Sequence, residues 1–172
     1  MTRPFHRDLV FGRAAERSPW VRQVLALLYP DAEIVPADAK DDRNGVDLWV
    51  VKPSGIRVGV QVKARRTEFW GDLFLEIYGD ASRKTPGWAM CPEAELLVVL
   101  YRDATLLFHL PTLAHITRKK LDEWVARGYG HITKSEKRPG RAYESFGVFV
   151  PLQELGPALL LSVPRLRTGD AA

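Results

Sequence analysis

A chain of 172 residues, 46% hydrophobic and 27% charged, has the size and composition of one soluble domain that buries its own core. Its single cysteine, Cys91, excludes an internal disulfide and fits a reducing compartment; no apolar run approaches the roughly 20 residues of a membrane span, and the polar residues 1–7 are no secretory signal, so a cytoplasmic location is expected. The formal charge of +4 and the sequence pI of about 9.3 suit an anionic partner.

In chain order, Trp20, Val21, Val24, Leu25 and Leu28 are spaced for one face of a helix. That helix has Pro19 in its first turn and stops before Tyr29-Pro30, and residues 8–17 form a separate short helical segment upstream. Glu33-Ile34-Val35 is a short strand. Residues 46–51 and 56–63 are two strong strands joined by Lys52-Pro53-Ser54-Gly55. Residues 73–78 alternate as a strand with Phe74, Glu76 and Tyr78 on one face. Residues 95–101 and 105–110 make a second hairpin around Arg102-Asp103-Ala104. Pro111-Thr112 then open a helix with the stripe Leu113, Ile116, Leu121, Trp124 and Val125, and Gly128 is its natural C-cap. Residues 130–141 are polar, basic and marked by Gly and Pro, which predicts a mobile loop. Residues 146–150 read as the last strand and residues 168–172 as a frayed tail. The pattern is α/β: a helix first, a mixed sheet, then a second helix.

The first hairpin carries the chemistry. With Pro53-Ser54-Gly55 as the loop, Lys52 faces Ile56, and counting outward stacks Val50 on Val58, Leu48 on Val60 and Val46 on Val62. Every pair on that face is apolar, so it is the core face. The opposite face pairs Trp49 with Gly59, which gives the indole room, sets Asp47 across from Gln61, and projects Lys63 on the same side. A one-residue slip would bury all three polar residues and is excluded; a two-residue slip keeps the faces. A carboxylate beside an amide oxygen is a pair of hard donors suited to Mg2+ or Mn2+. A nearby ammonium helps a water lose its proton or stabilises charge on a phosphate. The plain structural reading is a surface hairpin with a polar outer face.

Gly45-Val46-Asp47, a turn, and then Val60-Gln61-Val62-Lys63 resemble the PD-(D/E)XK nuclease motif in its QXK form, as in Mrr-like restriction nucleases. Upstream, the run from Asp8 to Glu16 resembles the first-helix glutamate segment of that superfamily. Archaeal-type Holliday junction resolvases share this order of helix glutamate, strand aspartate and strand E-X-K. The resemblance spans residues 8–66. It implies a restriction-endonuclease-like α/β fold, a mixed β-sheet flanked by helices with an α-β-β-β-α-β core, in a single domain over residues 1–167. It also implies a Mg2+-dependent DNA endonuclease, Mn2+ being a possible substitute, in which Glu16 reaches the metal directly or through water. Gln61 departs from the pattern, since most members have a carboxylate there. Glu76, on the polar side of the next strand, could supply the missing charge or pair with an arginine.

Basic clusters offer phosphate contacts: Lys63-Ala64-Arg65-Arg66, Ser82-Arg83-Lys84, Arg118-Lys119-Lys120, and residues 134–141 with Lys134, Lys137 and Arg138. A solvated face is the ordinary role of any one of them. Among the histidines, His109 and His115 read as structural, while His6 and His131 stand in basic segments within reach of phosphate. Cys91 reads as a buried small hydrophobe, and Trp88 as a core cap or a base-stacking ring. The combined expectation is a structure-specific, junction-resolving endonuclease of DNA recombination and repair, working on branched DNA as a homodimer. Size supports this, because one domain leaves little room for a separate sequence reader and two symmetric cuts need two sites. The alternatives are an Mrr-like restriction or repair nuclease and a catalytically inactive DNA-binding protein that keeps the fold.

Overall fold

The structure is a computed structural model that describes residues 3–90, 93–138 and 141–165, with side chains described from Val10 onward and outside residues 135–143. In chain order the elements are β1 (Arg3–Pro4), α1 (Phe5–Glu16), α2 (Pro19–Leu28), β2 (Glu33–Pro36), α3 (Ala39–Arg43), β3 (Leu48–Val51) and β4 (Arg57–Ala64). Then follow β5 (Asp72–Asp80), β6 (Thr85–Pro86), β7 (Leu96–Leu100), β8 (Ala104–His109), α4 (Leu110–Ala126), β9 (Gly130–Arg138) and β10 (Arg141–Pro151). A 3-10 helix (Leu152–Ala158) and β11 (Leu159–Pro164) complete the series. The protein is therefore mixed α/β. Among the described residues no helix is long and apolar enough to cross a membrane.

The chain divides into two compact units, each assembled from three stretches of sequence. The first is Met1–Phe11, Gly71–Pro92 and Leu110–Ala158; the second is Gly12–Trp70, Glu93–His109 and Leu159–Ala172. The expected frayed tail, residues 168–172, lies outside the described residues, as does Cys91.

The second unit is built on a six-stranded mixed sheet in the order β11-β8-β7-β4-β3-β2. Its two hairpins form where the turn residues demand: the Lys52 N–H donates to Ile56 O at 2.9 Å across the Pro53-Ser54-Gly55 loop, where Gly55 has φ +83°. The β3–β4 register is Leu48↔Val60, Trp49↔Gly59 and Val50↔Val58, as the alternation predicts. β4 pairs in parallel with β7, Val60 against Leu96 and Gln61 against Leu97. The predicted α2 helix lays Val21, Val24 and Leu25 on the core formed by Leu48, Val50, Val58, Val60, Val62, Leu96 and Val98. Pro19 occupies its first turn, where a missing N–H costs nothing.

The first unit holds a five-stranded sheet in the order β1-β9-β10-β5-β6, antiparallel except for the β1–β9 pair. Trp124 of α4 is fully buried and donates from Nε1 to Glu154 Oε2 at 2.8 Å. Gly128, at φ +83°, closes α4 as predicted, its N–H donating to Val125 O while Tyr129 N–H returns to Trp124 O. Two expectations fail here. Of the expected mobile loop over residues 130–141, residues 130–138 are strand β9, paired with β10 from Gly130↔Val148 to Arg138↔Arg141 with a register shift between Arg141 and Ala142, while residues 139–140 lie outside the described residues. Residues 146–150 are not the last strand but part of the longer β10, and β11 follows it to pair with β8 in the other sheet. The short helix α3 was also not anticipated.

Candidate active site

Asp47 stands just before β3, where the ladder becomes irregular. The Leu48↔Val60 pair is the last regular one, and the Asp47 N–H also donates to Val60 O, at 2.9 Å. The Val62 N–H, which an uninterrupted ladder would give to Val46, instead donates to Asp47 Oδ2 at 2.6 Å. A charge-assisted bond of that length fixes the carboxylate against β4.

Gln61 lies on β4 between β3 and β7, only 6% exposed. A solvated outer face would have left it in water, so the surface-hairpin reading does not describe this strand. Its amide packs over Gly45: a Cβ at Gly45 would meet Gln61 Nε2 at 3.1 Å, and Gly45 has φ +87°. Glycine is required there both for the backbone angle and for the space. Gly59 plays the part expected beside Trp49, since a Cβ on it would meet the indole at 3.4 Å.

The electrostatics gather four side chains of the second unit. Burial pushes the Glu16 pKa up to about 7, and the charges of Asp47 and Asp42 raise it further against the pull of Arg13 and Arg17. Burial also raises the Asp47 pKa; the Val62 N–H and Lys63 oppose the shift, and Asp42 reinforces it by charge and by a carboxylate–carboxylate hydrogen bond. Glu16, Asp42 and Asp47 therefore crowd one another, with Lys63 the counter-charge on Asp47. Glu16 at the end of α1 and Lys63, both expected at the site, each lie within electrostatic reach of Asp47.

Asp42 is a neighbour of Asp47 that the sequence reading did not single out. Asp38 caps α3 by accepting from Lys40 N–H and Asp41 N–H, both at 2.8 Å, which holds its own carboxyl below the ordinary range. Asp41 Oδ2 then accepts from Trp49 Nε1 at 2.9 Å, tying α3 to β3. That tether leaves Asp42 turned to Asp47. The visible signal was Asp38 three residues ahead of Asp41, a capping pattern directly upstream of Gly45-Val46-Asp47.

Glu76 lies in β5 of the first unit, whereas Glu16, Asp42, Asp47 and Lys63 belong to the second. The proposed DNA contacts are divided likewise: Arg65 and Arg66 follow β4 in the second unit, whereas Arg83, Lys84, Lys134, Lys137 and Arg138 belong to the first. Arg83 lies 3.8 Å from Asp80, and Lys134 pairs with Glu144 at 3.0 Å. The side chains of Lys137, Arg138 and His6 lie outside the described residues. His131 packs edge-on against Phe149 and Phe74 at 5.4 and 6.4 Å between ring centres.

The oxygen donors of Glu16, Asp42, Asp47 and Gln61 suit a hard divalent cation, and such an ion would offset the burial, and the lesser repulsion, that raise the Glu16 and Asp47 pKa values. Among the described residues, no group of three acidic, histidine or cysteine side chains already stands in ligating geometry, so a cation would have to draw these carboxylates inward. Compared with models of protein families, with curated proteins and with solved structures, the chain matches none at a significant level.

Proposed function

We propose that the chain is a Mg2+-dependent DNA endonuclease of the PD-(D/E)XK kind, with Mn2+ as a possible substitute, cutting branched DNA as a homodimer. What carries the reading is the crowding of Glu16, Asp42 and Asp47 opposite Lys63, on a hairpin whose register matches the motif. On this reading the second unit carries the start of the α-β-β-β-α-β core. Asp47 and Glu16 hold the cation through carboxylate oxygens and Gln61 through its amide oxygen, while Asp42 makes up the negative charge that Gln61 lacks. A bound Mg2+ supplies Lewis-acid polarisation at the scissile phosphodiester. The Val62 N–H keeps the Asp47 carboxylate in one orientation, the support that ligands need to be effective. Lys63 sets its ammonium against a phosphate oxygen or the attacking water and stabilises charge that develops there. Arg65 and Arg66, next along the chain, contact the phosphate backbone.

A catalytically silent DNA-binding protein is the second reading, favoured by one observation: a buried amide stands where a carboxylate would tighten metal binding. Titrating Mg2+ against supercoiled, linear and four-way-junction DNA separates them. Cleavage of junctions alone supports the proposal, general duplex cleavage supports an Mrr-like nuclease, and binding without cleavage at any Mg2+ concentration supports the silent protein.

A further inference from the structure

Trp70 is 77% exposed, the most exposed of the large hydrophobic side chains described. An indole left in water forgoes a large burial gain and presents a flat face to any ring that can stack on it. The loop after β4 is held at several points. Arg65 N–H donates to Leu100 O at 2.7 Å, Arg102 N–H to Thr67 O at 3.1 Å, and Phe69 N–H to Asp103 Oδ1 at 2.8 Å. The Phe69 ring packs edge-on against Tyr101 at 5.1 Å between centres. The residue before Trp70 is thus anchored by backbone and by side chain to the β7–β8 turn, while Trp70 itself is exposed.

The surroundings are cationic. Lys63, Arg65, Arg66 and Arg102 stand in this strand end, loop and turn against Glu68 and Asp103, and the Asp103 carboxylate is engaged by Phe69 N–H and lies within Coulomb reach of Arg165. Seven residues of chain put Trp70 no more than about 25 Å from Lys63, within several nucleotides of the proposed cut. An exposed aromatic face on a loop whose sequence neighbours include Arg65 and Arg66 is the chemistry that receives a nucleobase with its phosphate. We infer that Trp70 stacks on an unpaired DNA base and thereby gives the enzyme its preference for DNA with unpaired or splayed nucleotides.

This inference rests on the DNA-endonuclease reading. It is tested with the full chain in EDTA, so that DNA stays intact, by fluorescence anisotropy on a single strand, a gapped duplex and a fully paired duplex of one sequence. The expected result is that Trp70→Ala weakens single-strand and gapped binding about tenfold, leaves paired-duplex binding within about twofold and keeps the melting temperature. Trp70→Phe should restore most of the loss. Equal weakening on all three DNAs, no weakening on any, or a fall in melting temperature would each overturn it. So would loss of self-association in Trp70→Ala as measured by sedimentation, which would make Trp70 a protein contact. If the wild type binds none of the DNAs, the endonuclease reading falls with it; if it binds and Trp70→Ala changes nothing, the stacking role alone falls.

Discussion

The β3–β4 and β9–β10 hairpins are both antiparallel pairs, yet only the first is recognisable from its residues. Val58, Val60 and Val62 in β4 are buried, each facing an apolar partner or the α2 side of the core. In β9, His131, Ile132, Thr133 and Lys134 are all exposed, and the strand is held between β1 and β10 by its ladder. Alternation in a sequence reports burial; backbone hydrogen bonding leaves no mark on composition. A polar, basic strand therefore passes for a loop, especially beside Pro139-Gly140.

That contrast can be tested by substitution. The largest effect belongs to Asp47→Asn, expected to reduce cleavage about a hundredfold or more, because a bound cation's charge stabilisation is worth several kcal/mol. Its amide oxygen still accepts from Val62, so melting should change little. Asp47→Ala should lose cleavage and also about 1–3 kcal/mol of stability, from an unpaired Val62 N–H, a difference that denaturant titration reads. Gly45→Ala comes next: at φ +87° and against Gln61 Nε2 it should cost roughly 1–2 kcal/mol and disturb the Gln61 amide. In the other hairpin, Ile132→Thr should stay within about 0.5 kcal/mol, as exposed positions do. A cost comparable to that of Gly45→Ala would mean that β9 is held by its side chains after all.

Much of the site was legible for the same reason that β3–β4 was. The apolar pairs admit one choice of face, and that choice sets Asp47, Gln61 and Lys63 on the other, although the ladder becomes irregular at Asp47 itself. What could not be read was Gln61's burial, because its cover on the β7 side comes from a parallel pairing with residues 35 or more positions away. Asp42 escaped because α3, five residues with none buried, has no periodicity to notice. Glu76 falls on β5, which pairs with β10 and β6 in the first unit, and alternation identifies a face and not a sheet.

The central claim is that Glu16, Asp42 and Asp47 form a cation site, and calorimetric titration with Mg2+ tests it without DNA. Glu16, with a pKa of about 7 against an ordinary 4.5, is mostly protonated at pH 6. In the cation-free protein that raised value favours folding fully below about pH 4.5, and the contribution fades as pH rises to about 7. Cation binding at pH 6 must then expel a proton, so the measured enthalpy should shift with the ionisation enthalpy of the buffer. The shift should vanish near pH 8.5 and in Glu16→Gln. Absence of Mg2+ and Mn2+ binding at millimolar concentrations, or binding whose buffer dependence survives in Glu16→Gln, would contradict the account.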